Sequence, residues 1–331
     1  MIEIIKPVVN VIDFDKIIQE DTITPSANVM EYVCRVCYNS YDKMKDGSYI
    51  DLLSKSAKKG HRSVFEFSNI QFSFILNDYK LFDDVINFFK EEFYLNYDFY
   101  EDSVNKKYVI VTGSIRAFIE LIESYLYKSN ENIFIFKFIF EHLVRYFPYI
   151  MENWPTVEEL FKFYKAFKTE YIDIVCKFDD ITKLVKNNKD KIHRKLLVEL
   201  ITDRGLHNEA VRHRVFSYMA ESQRYVRYDT SKNQLKICVD SKRFSDEKYI
   251  NIIKENSNIC LNNYKNILND GYTPQIARVV LPMGTSLKFF MYGNMENWEH
   301  FFRLRSHSSA LPMIQEVSKK IMQQFISKGL F

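Results

Sequence analysis

The sequence predicts an α/β (α+β) fold, with a mixed, mainly antiparallel sheet flanked by helices and a large helical insertion. Three observations support this prediction. Apolar and polar residues alternate along Ser68–Leu76 and again along Arg194–Thr202, and a period of two is typical of half-buried strands. Residues 79–188, which lie between these two strands, carry mostly helical patterns. Asp246–Asn269 has the pattern of an amphipathic helix, so helices also follow the second strand.

The N-terminal elements are short. Ile2–Val11 is rich in Ile and Val and is predicted to be extended. A helix is predicted over Ser26–Tyr38, with the Ser26 hydroxyl as its N-cap. A second helix is predicted over Ile50–Lys59, and Gly60 ends it.

The predicted insertion is interrupted at Ser129-Asn130, Pro148 and Pro155. Between these breaks the predicted helices are Leu81–Phe93, Ser114–Lys128, Ile133–Phe147, Val157–Phe167 and Glu170–Phe178. After the Arg194–Thr202 strand, a helix is expected from Leu206 toward Arg214. Thr273-Pro274 is expected to begin a further helix, because Pro is favoured at the first helical position. The remaining predicted elements are the strand Thr285–Tyr292 and the helices Met295–Arg305 and Ala310–Phe325.

The composition is that of an ordinary globular protein. The chain has 331 residues, of which 47% are hydrophobic and 27% charged, with a net charge of +3. The charges are interspersed, so no polyanion-binding face is expected. We also expect no membrane span and no secretion signal, and therefore a cytoplasmic location. The five cysteines lack the spacing of a zinc site, and no metal is predicted.

The most informative motif is the basic triplet Arg212-His213-Arg214, which seven residues separate from Ser222. Guanidinium groups close to hydroxyl and amide groups suit a ligand that carries phosphate oxygens and a polar heterocycle. A basic triplet alone is more often a solvated surface or the end of a helix. What favours a ligand-binding site is the continuation of the motif through Ser217, Ser222, Gln223, Arg224 and Tyr225, together with further segments of the chain.

Three further segments carry polar residues in a recognisable order. His61-Arg62-Ser63 precedes Glu66 just before the first predicted strand. Asp203-Arg204-Gly205 leads to Glu209, three residues before the triplet. Arg278 begins an Arg-Val-Val-Leu-Pro run, which Asn294, His300 and Arg305 follow.

Taken together, these segments resemble the flavin-dependent thymidylate synthases (the ThyX family). The resemblance covers residues 29–76 and 195–325. It implies that residues 1–77 and 190–331 form a ThyX-like catalytic domain and that 78–189 form a mostly helical insertion. It implies reductive methylation of dUMP to dTMP, with methylenetetrahydrofolate as carbon donor, FAD as cofactor and NADPH as reductant. It also implies a homotetramer with shared active sites, without nucleic acid or membrane partners.

The resemblance assigns a role to each matching residue. Arg305 is the expected catalytic residue, because a fixed cation can stabilise negative charge that develops on the uracil ring. The expected dUMP-binding residues are Glu209, Arg212, Glu221, Ser222, Gln223, Arg224, Arg278 and Arg305. The expected FAD-binding residues are His61, Ser63, Arg212, His213, Arg214, Asn294 and His300.

The chain departs from the family pattern at a few positions. Ala220 stands where the family usually has Glu or Gln, and Glu296 replaces a residue that is often Arg. Leu311 and Met313 stand where Gln and Glu are common.

These departures leave two alternative functions open. One is a related flavoenzyme that modifies uracil C5 differently, for example by hydroxymethylation. The other is a non-catalytic homologue that binds a nucleotide or a nucleic acid.

Overall fold

The structure is a computed structural model. It describes residues 2–18, 24–76, 79–90, 92, 94–103, 105–126, 133–166, 174–183, 191–231 and 233–331. Its strands are β1 Glu3–Ile5, β2 Val8–Val11, β3 Ile70–Leu76, β4 Asn96–Glu101, β5 Lys107–Gly113, β6 Ile174–Asp180, β7 Lys195–Asp203, β8 Ser217–Ala220, β9 Lys236–Cys238 and β10 Ser286–Asn294. Its helices are α1 Pro25–Cys34, α2 Ser48–Lys58, α3 Tyr79–Lys90, α4 Ile115–Tyr125, α5 Ile133–Tyr146, α6 Pro148–Met151, α7 Val157–Ala166, α8 Arg204–Ala210, α9 Glu247–Asn269, α10 Pro274–Ala277, α11 Met295–Arg305 and α12 Pro312–Ser327.

The chain divides into two compact units. The first unit contains residues 1–12, 34–43 and 196–331, and the second contains 13–33 and 44–195. This packing boundary differs from the predicted limits of catalytic domain and insertion, because residues 44–77 pack in the second unit. The functional division into those two domains stays a prediction. Within the described residues, no helix has both the length and the apolar character needed to cross a membrane.

The first unit is built on a sheet with strand order β2-β7-β10-β8. β2 pairs antiparallel with β7, and β8 pairs antiparallel with β10. A separate pair, β1 and β9, is parallel. The predicted fold class, a mixed and mainly antiparallel sheet flanked by helices, is therefore confirmed.

Helices α11 and α12 close one side of this unit with aromatic side chains. Trp298 is buried and packs against Phe216, with ring centroids 4.6 Å apart. The position of Phe216 also explains why residue 293 is a glycine, because a Cβ there would lie 2.5 Å from Phe216 Cδ1. The end of β10 thus approaches the Phe216 ring more closely than any side chain at residue 293 allows.

The second unit contains a four-stranded antiparallel sheet with strand order β4-β5-β3-β6. The predicted Ser68–Leu76 strand is confirmed as β3, whose residues alternate between buried and half-buried. The prediction that residues 79–188 are mostly helical missed β4, β5 and β6. The predicted helix Glu170–Phe178 is wrong over its described part, because residues from Ile174 onward pair with β3. The predicted break at Ser129-Asn130 lies outside the described residues.

The start of α1 also differs from the prediction. The helix begins at Pro25, so Ser26 lies inside it instead of capping it. The carboxylate of Asp180 accepts hydrogen bonds from the Ser26 backbone N–H and from the Ser26 hydroxyl, both at 2.9 Å. An acceptor 154 residues further along the chain thus satisfies a free N–H group of the first helical turn.

Candidate functional site

Arg305, the expected catalytic residue, lies at the end of α11 and is held by three hydrogen bonds. Its Nε donates to Nε2 of His213 across 2.7 Å. One terminal nitrogen donates to the backbone carbonyl of Glu209 at 3.3 Å, and the other lies 3.4 Å from the Glu209 carboxylate. The structure therefore brings together three residues that the sequence analysis had singled out, and it fixes the direction of the guanidinium plane.

His213 is the middle member of the basic triplet, and its environment keeps it neutral. Its side chain is buried, and its ring packs against Phe301 with centroids 5.0 Å apart. Burial, followed by the charges of Arg305 and His300, lowers the pKa of His213 to about 4. Because Nε2 accepts a hydrogen bond from Arg305, the imidazole proton must be on Nδ1.

The two arginines of the triplet differ from this buried histidine in their exposure. Arg212 and Arg214 are both exposed, in the turn between α8 and β8. Arg212 forms an ion pair with Glu209, three residues earlier, at 3.1 Å. The Tyr218 hydroxyl donates to the backbone carbonyls of Ala210 and His213 and so ties the turn to β8. The predicted helix from Leu206 toward Arg214 accordingly ends at Ala210, and the triplet lies beyond it.

A second group of predicted residues includes the half-buried carboxylate of Glu221. Glu221 accepts a hydrogen bond from the Tyr228 hydroxyl at 2.8 Å. Burial raises the pKa of Glu221, and the Tyr228 hydroxyl and the charges of Lys288 and Arg204 offset part of this rise. The Gln223 side chain is also buried, beside the same tyrosine.

Ser222 and Arg224 lie between these buried groups and the surface. The Ser222 backbone N–H donates to the carbonyl of Cys37 at 3.2 Å. Arg224 is exposed, donates to Gln275 at 3.1 Å and lies over the ring of Tyr225. Cys37 is not an activated thiol, because burial raises its pKa to about 11.

The remaining predicted residues are more dispersed. Asn294 is buried and caps α11, because its side chain accepts a hydrogen bond from the Asn297 backbone N–H. His300 is exposed and lies 3.0 Å from a terminal nitrogen of Arg303. His61 and Ser63 belong to the second unit, where both are exposed at the start of the short 3-10 helix Arg62–Glu66.

Two residues beside the Glu221 carboxylate were not predicted as site residues. Tyr228 donates to Glu221, and Arg204 interacts electrostatically with Glu221 and Arg278. Arg204 stands in the Asp-Arg-Gly run that the sequence analysis quoted, so a signal for it was present. No local pattern distinguished Tyr228 from the other tyrosines, of which the chain has 22 in all.

The comparisons with known proteins agree with the motifs. Residues 182–328 match the protein-family model described as "Thymidylate synthase complementing protein". The expected family resemblance is confirmed over this part of the chain. The matched range contains the basic triplet and Arg305, and His61 and Ser63 lie outside it.

Two curated relatives illustrate the level of similarity. A flavin-dependent thymidylate synthase from Pyrococcus furiosus is 28% identical over 125 residues, which are 37% of this chain and 50% of the relative. One from Geobacter sulfurreducens is 30% identical over 102 residues, 31% of this chain and 43% of the relative. The chain thus spans about half the length of the curated relatives that it matches.

A solved structure of a UMP/dUMP methylase PolB from Streptomyces cacaoi, bound with 5-Br dUMP, is 19% identical. The match covers 44% of this chain and 73% of the solved methylase chain, with a TM-score of 0.36. Similarity at that TM-score supports no conclusion about this chain's function.

Proposed function

We propose that this protein methylates C5 of dUMP to give dTMP, with a flavin as redox cofactor. The match of residues 182–328 to the family model and the names of the curated relatives support this proposal. The observation that carries it is the fixation of Arg305 by His213 and Glu209. A cation that is already oriented stabilises developing negative charge without reorganising during the reaction.

In this proposal the residues around Arg305 bind the uracil ring. Arg305 donates hydrogen bonds toward the ring as negative charge develops there, and Glu209 and His213 keep its guanidinium in place. His213 remains neutral, so it accepts from Arg305 without adding a second positive charge to repel it. Arg212, Arg224 and Arg278 bind the phosphate and the base, together with Glu221, Ser222 and Gln223.

The residues expected to bind the flavin fit FAD in their chemistry. Arg212 and Arg214 are exposed guanidinium groups on one turn, a donor set that suits the oxygens of a diphosphate. Asn294, His300, His61 and Ser63 complete the proposed set. His213 contributes only through the Nδ1 side of its ring, because Nε2 already accepts from Arg305. When bound, FAD supplies the redox chemistry of the methyl transfer.

The other components belong to the same proposal. Methylenetetrahydrofolate is the proposed carbon donor and NADPH the proposed reductant. The assembly is proposed to be a homotetramer with shared active sites, located in the cytoplasm. Light scattering that gives a stable, active monomer would contradict the proposed assembly.

The visible spectrum of the purified protein, recorded with and without dUMP, tests the proposal. We expect flavin absorption bands that shift when dUMP is added, and dTMP as the product after methylenetetrahydrofolate and NADPH are supplied. A hydroxymethylated product would indicate the related flavoenzyme instead. A colourless protein that takes up no FAD at micromolar concentration would indicate a non-catalytic homologue.

A further inference from the structure

Arg204 and Arg278 of the first unit are both half-buried, and their charges interact. The Arg204 backbone N–H donates to the carbonyl of Met283 at 3.2 Å, so the start of α8 lies beside the segment that follows Arg278. Burial and then the charge of Arg278 lower the pKa of Arg204, whereas the Glu221 carboxylate raises it. Within the ranges that the structure describes, neither guanidinium group donates a hydrogen bond.

The hydrogen-bonded pair Tyr228 and Glu221 lies within electrostatic reach of Arg204. The Tyr228 side chain is 6% exposed, and its hydroxyl donates to the Glu221 carboxylate across 2.8 Å. Gln223 is 5% exposed, and its Nε2 lies beside Tyr228 without a well-aligned acceptor among the described residues. Half-buried guanidinium groups and a buried amide N–H group that lack acceptors favour an anionic ligand with several oxygens.

We propose that Arg204 is a second anion-binding arginine, which joins Arg278 and the Gln223 amide to bind the 5′-phosphate of a nucleoside monophosphate. We further propose that Tyr228 is a positioning residue, because its hydrogen bond holds the Glu221 carboxylate toward Arg204. This inference rests on the proposed function and adds to it the residues that select the phosphorylated form of the substrate.

The charges of this group match a phosphate. Arg204 and Arg278 repel each other in the absence of an anion, and Glu221 offsets only part of their combined charge. Lys288, whose charge also acts on Glu221, already forms an ion pair with Glu199 at 3.1 Å. A phosphate dianion would relieve the repulsion and accept hydrogen bonds from both planar guanidinium groups.

Calorimetric titration of the purified full-length protein with dUMP, deoxyuridine and inorganic phosphate tests the role of Arg204. We expect Arg204→Gln to raise the Kd for dUMP by about 10- to 100-fold, because hydrogen bonds to a charged group are lost. The Kd for deoxyuridine should change less than about twofold, because deoxyuridine lacks the phosphate that Arg204 is proposed to bind. Arg243→Gln is the matched control, since Arg243 is half-exposed and paired with Asp240 at 2.6 Å.

Tyr228→Phe tests the positioning role, because it removes the hydrogen bond to Glu221 without changing any charge. Tyr228→Phe should weaken binding of dUMP by about fivefold while binding of deoxyuridine stays unchanged. If Tyr228→Phe lowers the Tm but leaves the ratio of the Kd values for dUMP and deoxyuridine unchanged, the role of Tyr228 is only structural.

The possible outcomes separate this inference from the proposed function. If Arg204→Gln leaves the Kd for dUMP unchanged in a protein that binds dUMP, the inference fails and the proposed function stands. If the protein binds inorganic phosphate through Arg204 but does not bind dUMP, the anion site stands and the proposed substrate is wrong. If the wild-type protein binds neither dUMP nor phosphate, both are wrong.

Discussion

Nε of Arg305 donates a hydrogen bond to Nε2 of His213, 92 residues earlier in the chain, across 2.7 Å. This contact connects the end of α11 to the middle of the basic triplet. It requires a neutral histidine, because a protonated imidazole has no lone pair to accept the bond. The pair thus couples the protonation state of a buried side chain to the orientation of the residue proposed to be catalytic.

Arg305→Ala should lower turnover by about 100- to 1000-fold, the usual effect of removing a preorganised group that stabilises charge. Its three hydrogen bonds to His213 and Glu209 also predict a loss of about 2 kcal/mol in the free energy of unfolding. Arg305→Lys should recover little turnover, because an ammonium group lacks the planar fork. Steady-state dTMP formation and urea unfolding measure the two effects. Near-normal turnover in the alanine variant would show that Arg305 does not act on the substrate.

His213 should make the protein less stable as the pH falls from about 6.5 toward 4. Its pKa is about 4 in the folded protein and near 6.5 in the unfolded chain, so only the unfolded chain takes up a proton across this window. The stabilisation is complete above pH 6.5, and its loss amounts to at most about 3 kcal/mol at the low end. His213→Gln removes this titration. Urea unfolding of both proteins between pH 7.5 and 4 should give curves that converge at low pH, and parallel curves would refute the assignment.

Arg214→Gln should weaken FAD binding by about tenfold, because an exposed guanidinium group proposed to bind the diphosphate is lost. The free energy of unfolding without FAD should change by less than about 0.5 kcal/mol, as is usual for surface substitutions. Fluorescence titration with FAD measures the affinity, with Arg243→Gln as the control for the loss of one positive charge. Equal affinities of the two variants would remove Arg214 from the proposed flavin-binding set.

Gly293→Ala should destabilise the first unit by about 1–3 kcal/mol, because its new Cβ would lie 2.5 Å from Phe216 Cδ1 and force the ring to move. Combining it with Phe216→Leu should recover part of the loss, since a smaller side chain leaves room for the methyl group. Equilibrium unfolding in urea of the two single variants and the double variant measures the coupling. Strictly additive losses would mean that the Phe216 ring is not the obstacle.

Much of the fold could be predicted from the sequence because the relevant signals are local. Alternation with a period of two identified β3 and β7, and helical periodicity gave the bounds of α11 as they occur in the structure. The strands β4 and β6 lie at the edges of their sheet. Most β4 residues are exposed on both faces, so no alternation marked that strand. β6 owes its extended form to pairing with β3, about 100 residues earlier in the chain.

The sequence alone also determined which residue types stand in the family's order, and hence the resemblance that residues 182–328 confirm. Only the tertiary structure decided how those side chains are paired. His213 was expected to contact the flavin, and the fold buries it as the acceptor for Arg305. Tyr228 carried no motif, and the fold brings its hydroxyl to the Glu221 carboxylate. The physical reason is that hydrogen-bond partners and protonation states depend on distance and burial, and residues far apart in the chain set both.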